Sequence, residues 1–229
     1  KANPNTAALL FNGRPLVLTE LANTVPALLE MWFPGTEGGN AAADLIFGDA
    51  NPSGKITMTF PKATGQCPIY YNHPSTGRPK AVSADNERKI YCSSYLDCGN
   101  LPLYSFGHGL SYSNFVYEDM KIDKTEMTES GEINVTVTVY NDSDVCGKET
   151  VQLYMRDHVA SVVRPIQQLI DYKKVAFGAR ERKEITFTVT EPQLRYWNAE
   201  NKLVSDAGEF SLYTGYADHL LHEKKFNLI

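Results

Sequence analysis

No run of about 18 apolar residues occurs in this sequence, so nothing in it reads as a membrane-spanning helix. There is no basic block or stripe either. Lys and Arg number 22 against 27 Asp and Glu, a net charge of -5, so nucleic acid is not an expected partner. Cysteine is sparse: four residues, at 67, 92, 98 and 146, are too few for a disulfide framework in a domain of this size. Free thiols are expected, with a local Cys92–Cys98 pair as the alternative. No Cys-x-x-Cys or His/Cys cluster has the spacing of a structural zinc site. Nucleotide-binding glycine patterns are missing as well. Gly35-x-x-Gly38-Gly39 is not G-x-G-x-x-G, and Gly48 followed by Gly54-Lys55-Ile56 misses the P-loop spacing and its hydroxyl residue. The chain opens on Lys1-Ala2-Asn3-Pro4, without Met or a signal-peptide pattern. It is therefore expected to be a piece of something longer, whose compartment this piece does not disclose.

What is present is 229 residues, 42% of them hydrophobic, enough for one or two domains of about 100–200 residues each. Thr6–Phe11 is a short apolar run ended by Asn12-Gly13-Arg14-Pro15, the pattern of a buried strand. Leu18, Leu21, Ala22 and Val25 have helical spacing, stopped by Pro26. Ala27–Phe33 reads as a second strand broken at Pro34-Gly35. Thr36–Phe47 reads as a second helix, capped by Thr36 or Asn40 and closed by Gly48. Lys55–Phe60 alternates and reads as a third strand. Strands alternating with helices predict right-handed crossovers and a mostly parallel sheet. Residues 61–112 lack periodicity, yet their tyrosines argue for order. From Asn114 the pattern is all-β. Ile133–Val139 alternates without a break, as do Val151–Met155, Ile185–Val189 and Phe210–Leu212, with weaker strands at Tyr117–Ile122, Tyr172–Phe177 and Lys225–Ile229. Seven short strands without a Cys-Trp-Cys pattern predict an immunoglobulin-like sandwich of the fibronectin type III kind. The fold expected is an α+β chain in two parts. A partial α/β sandwich occupies 1–60, an ordered irregular connector 61–112, and a β-sandwich 113–229.

Four ordered motifs carry a resemblance. They are Asn12-Gly13-Arg14-Pro15; Trp32-Phe33-Pro34-Gly35-Thr36-Glu37-Gly38-Gly39-Asn40 with Phe47-Gly48-Asp49-Ala50-Asn51-Pro52-Ser53-Gly54-Lys55; Tyr70-Tyr71-Asn72-His73 with Thr76-Gly77-Arg78-Pro79; and Pro102–Tyr112. Together they resemble the second domain of glycoside hydrolase family three, in its β-glucosidase branch. The resemblance implies a retaining, exo-acting hydrolase of terminal β-glucosides, working without metal or cofactor through two carboxyl groups about 5 Å apart. It further implies that both of these, an Asp nucleophile in an N-terminal barrel and a Glu acid/base in a loop of the second domain, precede Lys1. The partners implied are that barrel, the first half of the α/β domain, and a β-glucoside. This chain would then buttress the enzyme and be inactive alone. Two alternatives stand beside that reading: a non-catalytic carbohydrate- or protein-binding sandwich, and a relative acting on β-xylosides. One departure is visible, in that relatives commonly read Ser-Arg-Tyr-x-Asp where this chain has Ser93-Ser94-Tyr95-Leu96-Asp97.

The substrate-proximal candidates are Asn72, His73, Arg78, Trp32 and Glu37. Asn72, His73 and Arg78, with Thr76, supply polar groups beside tyrosine faces on a loop, the residue types that sugar hydroxyls and ring C–H surfaces need. The competing reading is a connector pinned between domains. Trp32 is equally suited to a core or a barrel interface, and Glu37 to holding a helix start, where a carboxylate gains about 0.3–1 kcal/mol. Arg14 reads as an interdomain ion pair. His219 and His222 are spaced to share a helical face, but no third ligand accompanies them.

Overall fold

The computed structural model describes residues 3–79 and 91–229; residues 80–90 of the expected connector lie outside the described residues. The first part holds β1 (Ala7–Leu10), α1 (Thr19–Thr24), β2 (Ala27–Glu30) and α2 (Gly38–Phe47). β1 and β2 pair in parallel, Ala7 opposite Ala27 through Leu10 opposite Glu30. α2 ends at Gly48, whose φ of 86° is the left-handed conformation a helix-terminating glycine adopts without a Cβ penalty. At its other end neither Thr36 nor Asn40 caps. Glu37 holds the cap position without a side-chain bond to the helix backbone, and its Oε2 accepts from Asn40 Nδ2 at 2.5 Å.

Lys55–Phe60 does not form the expected third strand. Its backbone groups are taken by the connector instead: Ile56 N–H donates to His108 O, Gly107 N–H to Ile56 O, and Phe60 N–H to Tyr104 O, with a single antiparallel bridge at Phe60 and Tyr104. Nor does its alternation mark a buried face: the adjacent Thr59 and Phe60 are both buried, while Met58 is exposed.

The second part is a β-sandwich. Its strands are β3 (Phe115–Ile122), β4 (Glu126–Met127), β5 (Glu132–Asn141), β6 (Gly147–Asp157), β7 (Gln168–Phe177), β8 (Arg182–Thr190), the short hairpin β9 (Tyr196–Trp197) and β10 (Leu203–Val204), then β11 (Gly208–Tyr216) and β12 (His219–Leu228). One sheet runs β3-β5-β8, the other β4-β12-β11-β6-β7. The alternating residues Ile133, Val135, Val137 and Val139, flanked by Phe187 and Val189 of β8, pack with Val151, Leu153, Met155, Phe210 and Leu212 of the other sheet in one buried core. His219 and His222 lie on β12 and not on a helix; the period-2 ladder with β11 overrides their helical spacing.

β6 is buried on both faces. Val151, Leu153 and Met155 fill the core, while Gln152 and Tyr154 are buried on the other side beneath the connector. Tyr71 stacks on Phe106 at 4.2 Å and meets Tyr154 edge-on at 6.0 Å. Gln152 Nε2 donates to Gly107 O at 3.1 Å, and Tyr154 OH to Gln152 Oε1 at 2.7 Å.

Asn51 ties the two parts together. Its Nδ2 donates to Ser113 Oγ (2.8 Å) and Cys146 O (2.9 Å), and its Oδ1 accepts from Ser111 Oγ (2.8 Å) and Tyr112 N–H (2.9 Å). Beside it Lys55 Nζ donates to Gly109 O and pairs with Glu149 at 3.0 Å, both side chains largely buried; Tyr117 OH donates to the other Glu149 oxygen. A Cβ on Gly109 would lie 2.3 Å from Gly54 O, so only glycine admits this approach. None of the four cysteines forms a disulfide among the described residues.

Asn51→Ala removes four bonds of about 0.5–1.5 kcal/mol each and is expected to destabilise the chain by about 2–6 kcal/mol in urea unfolding. A pH dependence follows at the same joint. His108 stacks on Tyr104 and lies edge-on to Tyr216, and burial, then Lys55 and His219, push its imidazole below the ordinary 6.5. The folded state therefore favours the neutral ring. The contribution is complete above 6.5 and is lost as pH falls through the depressed folded value, so the thermal midpoint of the wild type should drop more on acidification than that of His108→Gln.

Candidate functional site

At the carboxyl end of the parallel pair, β2 stops at Glu30 and the chain turns. Met31 N–H donates to Leu10 O, and Trp32 N–H to Glu30 Oε1 at 2.9 Å. Trp32 takes φ 49°, a left-handed conformation that is strained for a bulky residue. Its half-buried ring leans on Phe60 with centroids 5.8 Å apart. Glu37 is exposed at the start of α2, held by Asn40. Sequence reasoning passed over two neighbours of this turn. Asn12 Oδ1 and Glu30 Oε2 are buried acceptors with no hydrogen-bond partner among the described residues. Nothing in the motif Asn12-Gly13-Arg14-Pro15 announces this, since satisfaction depends on what packs against the strand ends. Arg14 is exposed and forms no ion pair among the described residues.

The second group, Asn72, His73 and Arg78, lies on the connector, where every residue from 72 to 79 is exposed. His73 O accepts from Ile166 N–H at 3.0 Å, its Nδ1 faces Pro74 O at 3.0 Å, and Arg78 O accepts from Ser93 N–H. The segment that departs from the family pattern is held from Asn100, which donates to Ser93 O and accepts from Tyr95 N–H. No hydrogen bond or ring contact joins Trp32 and Glu37 to Asn72, His73 and Arg78 among the described residues. The candidates thus form two clusters, one at the strand ends and one against the sandwich.

A cleft of about 510 Å³ opens between Ser75 and residues 156–166 of the β6–β7 loop. Its one carboxylate is Asp157, raised by burial and opposed by Arg164 at 3.5 Å. The Arg164 guanidinium lies 4.5 Å over the Tyr196 ring. Nearby acids are committed to structural bonds. Asp206 accepts from Tyr196 OH and Ser161 N–H, and Glu191 from Arg195 and Ser205, each held below the usual carboxylate range by those donors. A single carboxylate facing an arginine offers ionic anchoring but not the acid and nucleophile pair that glycoside cleavage needs. No group of three His, Cys, Asp or Glu suited to a metal occurs among the described residues.

Comparison with known proteins agrees with this geometry. Residues 1–112 match the glycosyl hydrolase family 3 C-terminal domain, and residues 149–217 a fibronectin type III-like domain. The chain is 39% identical over 221 residues to the periplasmic beta-glucosidase of Salmonella typhimurium, an alignment covering 96% of this chain and 28% of that protein. A beta-xylosidase of Formosa agariphila is 36% identical, with 94% of this chain and 28% of the relative covered. Among solved structures, the beta-glucosidase of Listeria innocua in complex with glucose superposes with a TM-score of 0.88 at 42% identity, over 97% of this chain and 30% of that one. The chain thus spans less than a third of the length of these relatives. It belongs to glycosyl hydrolase family 3, as the part that carries the C-terminal domain and the fibronectin type III-like domain after it.

Proposed function

We propose that this chain is the C-terminal portion of a retaining, exo-acting β-glucosidase, and that the Asp nucleophile and Glu acid/base belong to polypeptide preceding Lys1. One observation carries the proposal: the two parts are unequally finished. The sandwich closes over a fully buried core, whereas the α/β part leaves Phe11, Phe33, Phe47 and Met58 between 49% and 82% exposed. Burying such side chains stabilises by about 1.5–3 kcal/mol each, so a bare set of them beside orphaned acceptors at Asn12 and Glu30 fits a surface made to be covered.

On this reading the β1–β2 pair is the margin of a larger, mostly parallel sheet whose other strands come from upstream. Residues 1–60 complete that α/β domain, residues 61–112 connect, and residues 113–229 buttress. Trp32 and Glu37 lie at the carboxyl ends of parallel strands, where open α/β sheets place their ligands. Asn72, His73 and Arg78 form a rim that meets the sugar beyond the cleaved bond. The enzyme releases a terminal β-linked glucose by double displacement between two carboxyl groups. The chain itself supplies scaffold and rim.

The test is an assay of aryl β-glucosides and aryl β-xylosides with the 229-residue chain and with a longer form that includes the upstream polypeptide. Turnover by the longer form alone, faster on the glucoside, is the expected outcome. Turnover by the short chain overturns the placement of the catalytic groups, and a preference for the xyloside overturns the substrate assignment.

A further inference from the structure

We infer that Tyr71 and Gln167 are positioning residues, through which the β6–β7 loop of the sandwich sets how the Asn72–Arg78 rim meets the leaving group of the substrate. The inference rests on the reading of that rim as substrate-facing. Residues 72–79 are all exposed and have no helix or strand of their own, and Gly77 holds φ 79°, so the loop carries little internal restraint. Its far end is tied to the connector, where Ser93 N–H donates to Arg78 O, and what fixes its start lies immediately before it and beneath it.

Tyr71 is the anchor. Its ring stacks on Phe106 and abuts Tyr154, its OH accepts from Leu169 N–H at 3.3 Å, and its carbonyl accepts from Gln167 Nε2 at 3.0 Å. Two residues on, His73 O accepts from Ile166 N–H, and Pro74 bridges Pro165. Every one of these contacts except the Phe106 stack is made to the sandwich and none to the α/β part.

Gln167 is 3% exposed, and its amide sits at the start of β7 with its bond spent on the backbone of the connector. A buried amide is costly unless it is satisfied, and here its partner is the residue adjoining Asn72. The sandwich is therefore not only a buttress. It fixes the backbone from Tyr71 to Pro74 and leaves the side chains of Asn72, His73 and Arg78 exposed, with the His73 ring held at Nδ1 by Pro74 O. A small displacement of a group contacting substrate is enough to change binding, because hydrogen bonds fail beyond a few tenths of an ångström.

The test uses the longer, active protein carrying Gln167→Leu, which keeps the volume and removes the donor, and Tyr71→Phe, which keeps the ring stack and removes the acceptor for Leu169. Rates are measured on a β-linked disaccharide and on an aryl β-glucoside, and hydrogen exchange is followed at amides 70–77. Both variants are expected to raise KM for the disaccharide by about tenfold, the worth of one hydrogen bond. The same variants should leave kcat on the aryl substrate within about twofold and speed exchange at 70–77. His73→Ala and Arg78→Ala in the same protein should raise the same KM without changing exchange at 166–169. If these two raise KM while Gln167→Leu and Tyr71→Phe do not, positioning by the sandwich is overturned and the proposed function stands. If His73→Ala and Arg78→Ala leave KM unchanged, the rim is not substrate-facing and the inference falls with that reading. Should Gln167→Leu fail to fold, Tyr71→Phe alone decides.

Discussion

One side chain amide, that of Asn51, holds a helix-bearing segment, a connector and a β-sandwich in a single register. Its four hydrogen bonds reach Ser111, Tyr112, Ser113 and Cys146, residues that lie about 60 and 95 positions further along the chain. The Lys55–Glu149 pair beside it is shielded from water on both sides, and so it resists the screening that makes surface pairs weak. Tyr71, Phe106 and Gly107 of the connector are thereby laid against β6, which explains why that strand is buried on two faces. The rim residues inherit their place from this arrangement rather than from any structure of their own.

The two parts differ in how complete they are. In the sandwich, alternation along β5, β6 and β8 turns their apolar residues onto one another in a single buried core. In the α/β part a two-stranded ladder and two helices cannot enclose Phe33 or Phe47, and Glu30 Oε2 and Asn12 Oδ1 face no donor among the described residues. A short parallel pair has no independent stability in water, where three or more strands or a packed helix are needed. Its fixed position here comes from the sandwich side. On the proposed reading this division is functional: a self-sufficient module carries a half-domain ready for the rest of the enzyme.

Much of this was legible in the sequence. The seven expected strands all occur, and the four read from alternation were the plainest, because a period of two records which side chains face a core. Gly48 was read correctly as a helix end, since φ 86° is a local requirement that only glycine meets freely. Lys55–Phe60 was misread, because its alternation reflects neither a buried face nor a strand partner: Thr59 and Phe60 are both buried and Met58 is exposed. Its backbone pairs with residues 103–108, whose tertiary position no local pattern encodes. The helical spacing of His219 and His222 misled for the same reason. The candidate site was legible only as a list. That no bond or ring contact joins Trp32 and Glu37 to Asn72, His73 and Arg78 among the described residues, and that Glu30 Oε2 has no donor there, follow from packing across long separations.

The central claim is that the bare face of the α/β part is the seat of the upstream polypeptide, which brings the bond-breaking carboxylates. Its most direct test is reconstitution in trans. The upstream polypeptide is made separately, mixed with this chain, and followed by hydrogen exchange together with glucoside hydrolysis. Hydrolysis that arises only on mixing, with new protection around Phe11, Phe33 and Phe47 and little change across β5 and β8, is the expected result. Hydrolysis by this chain alone, or protection confined to the sandwich, contradicts the claim.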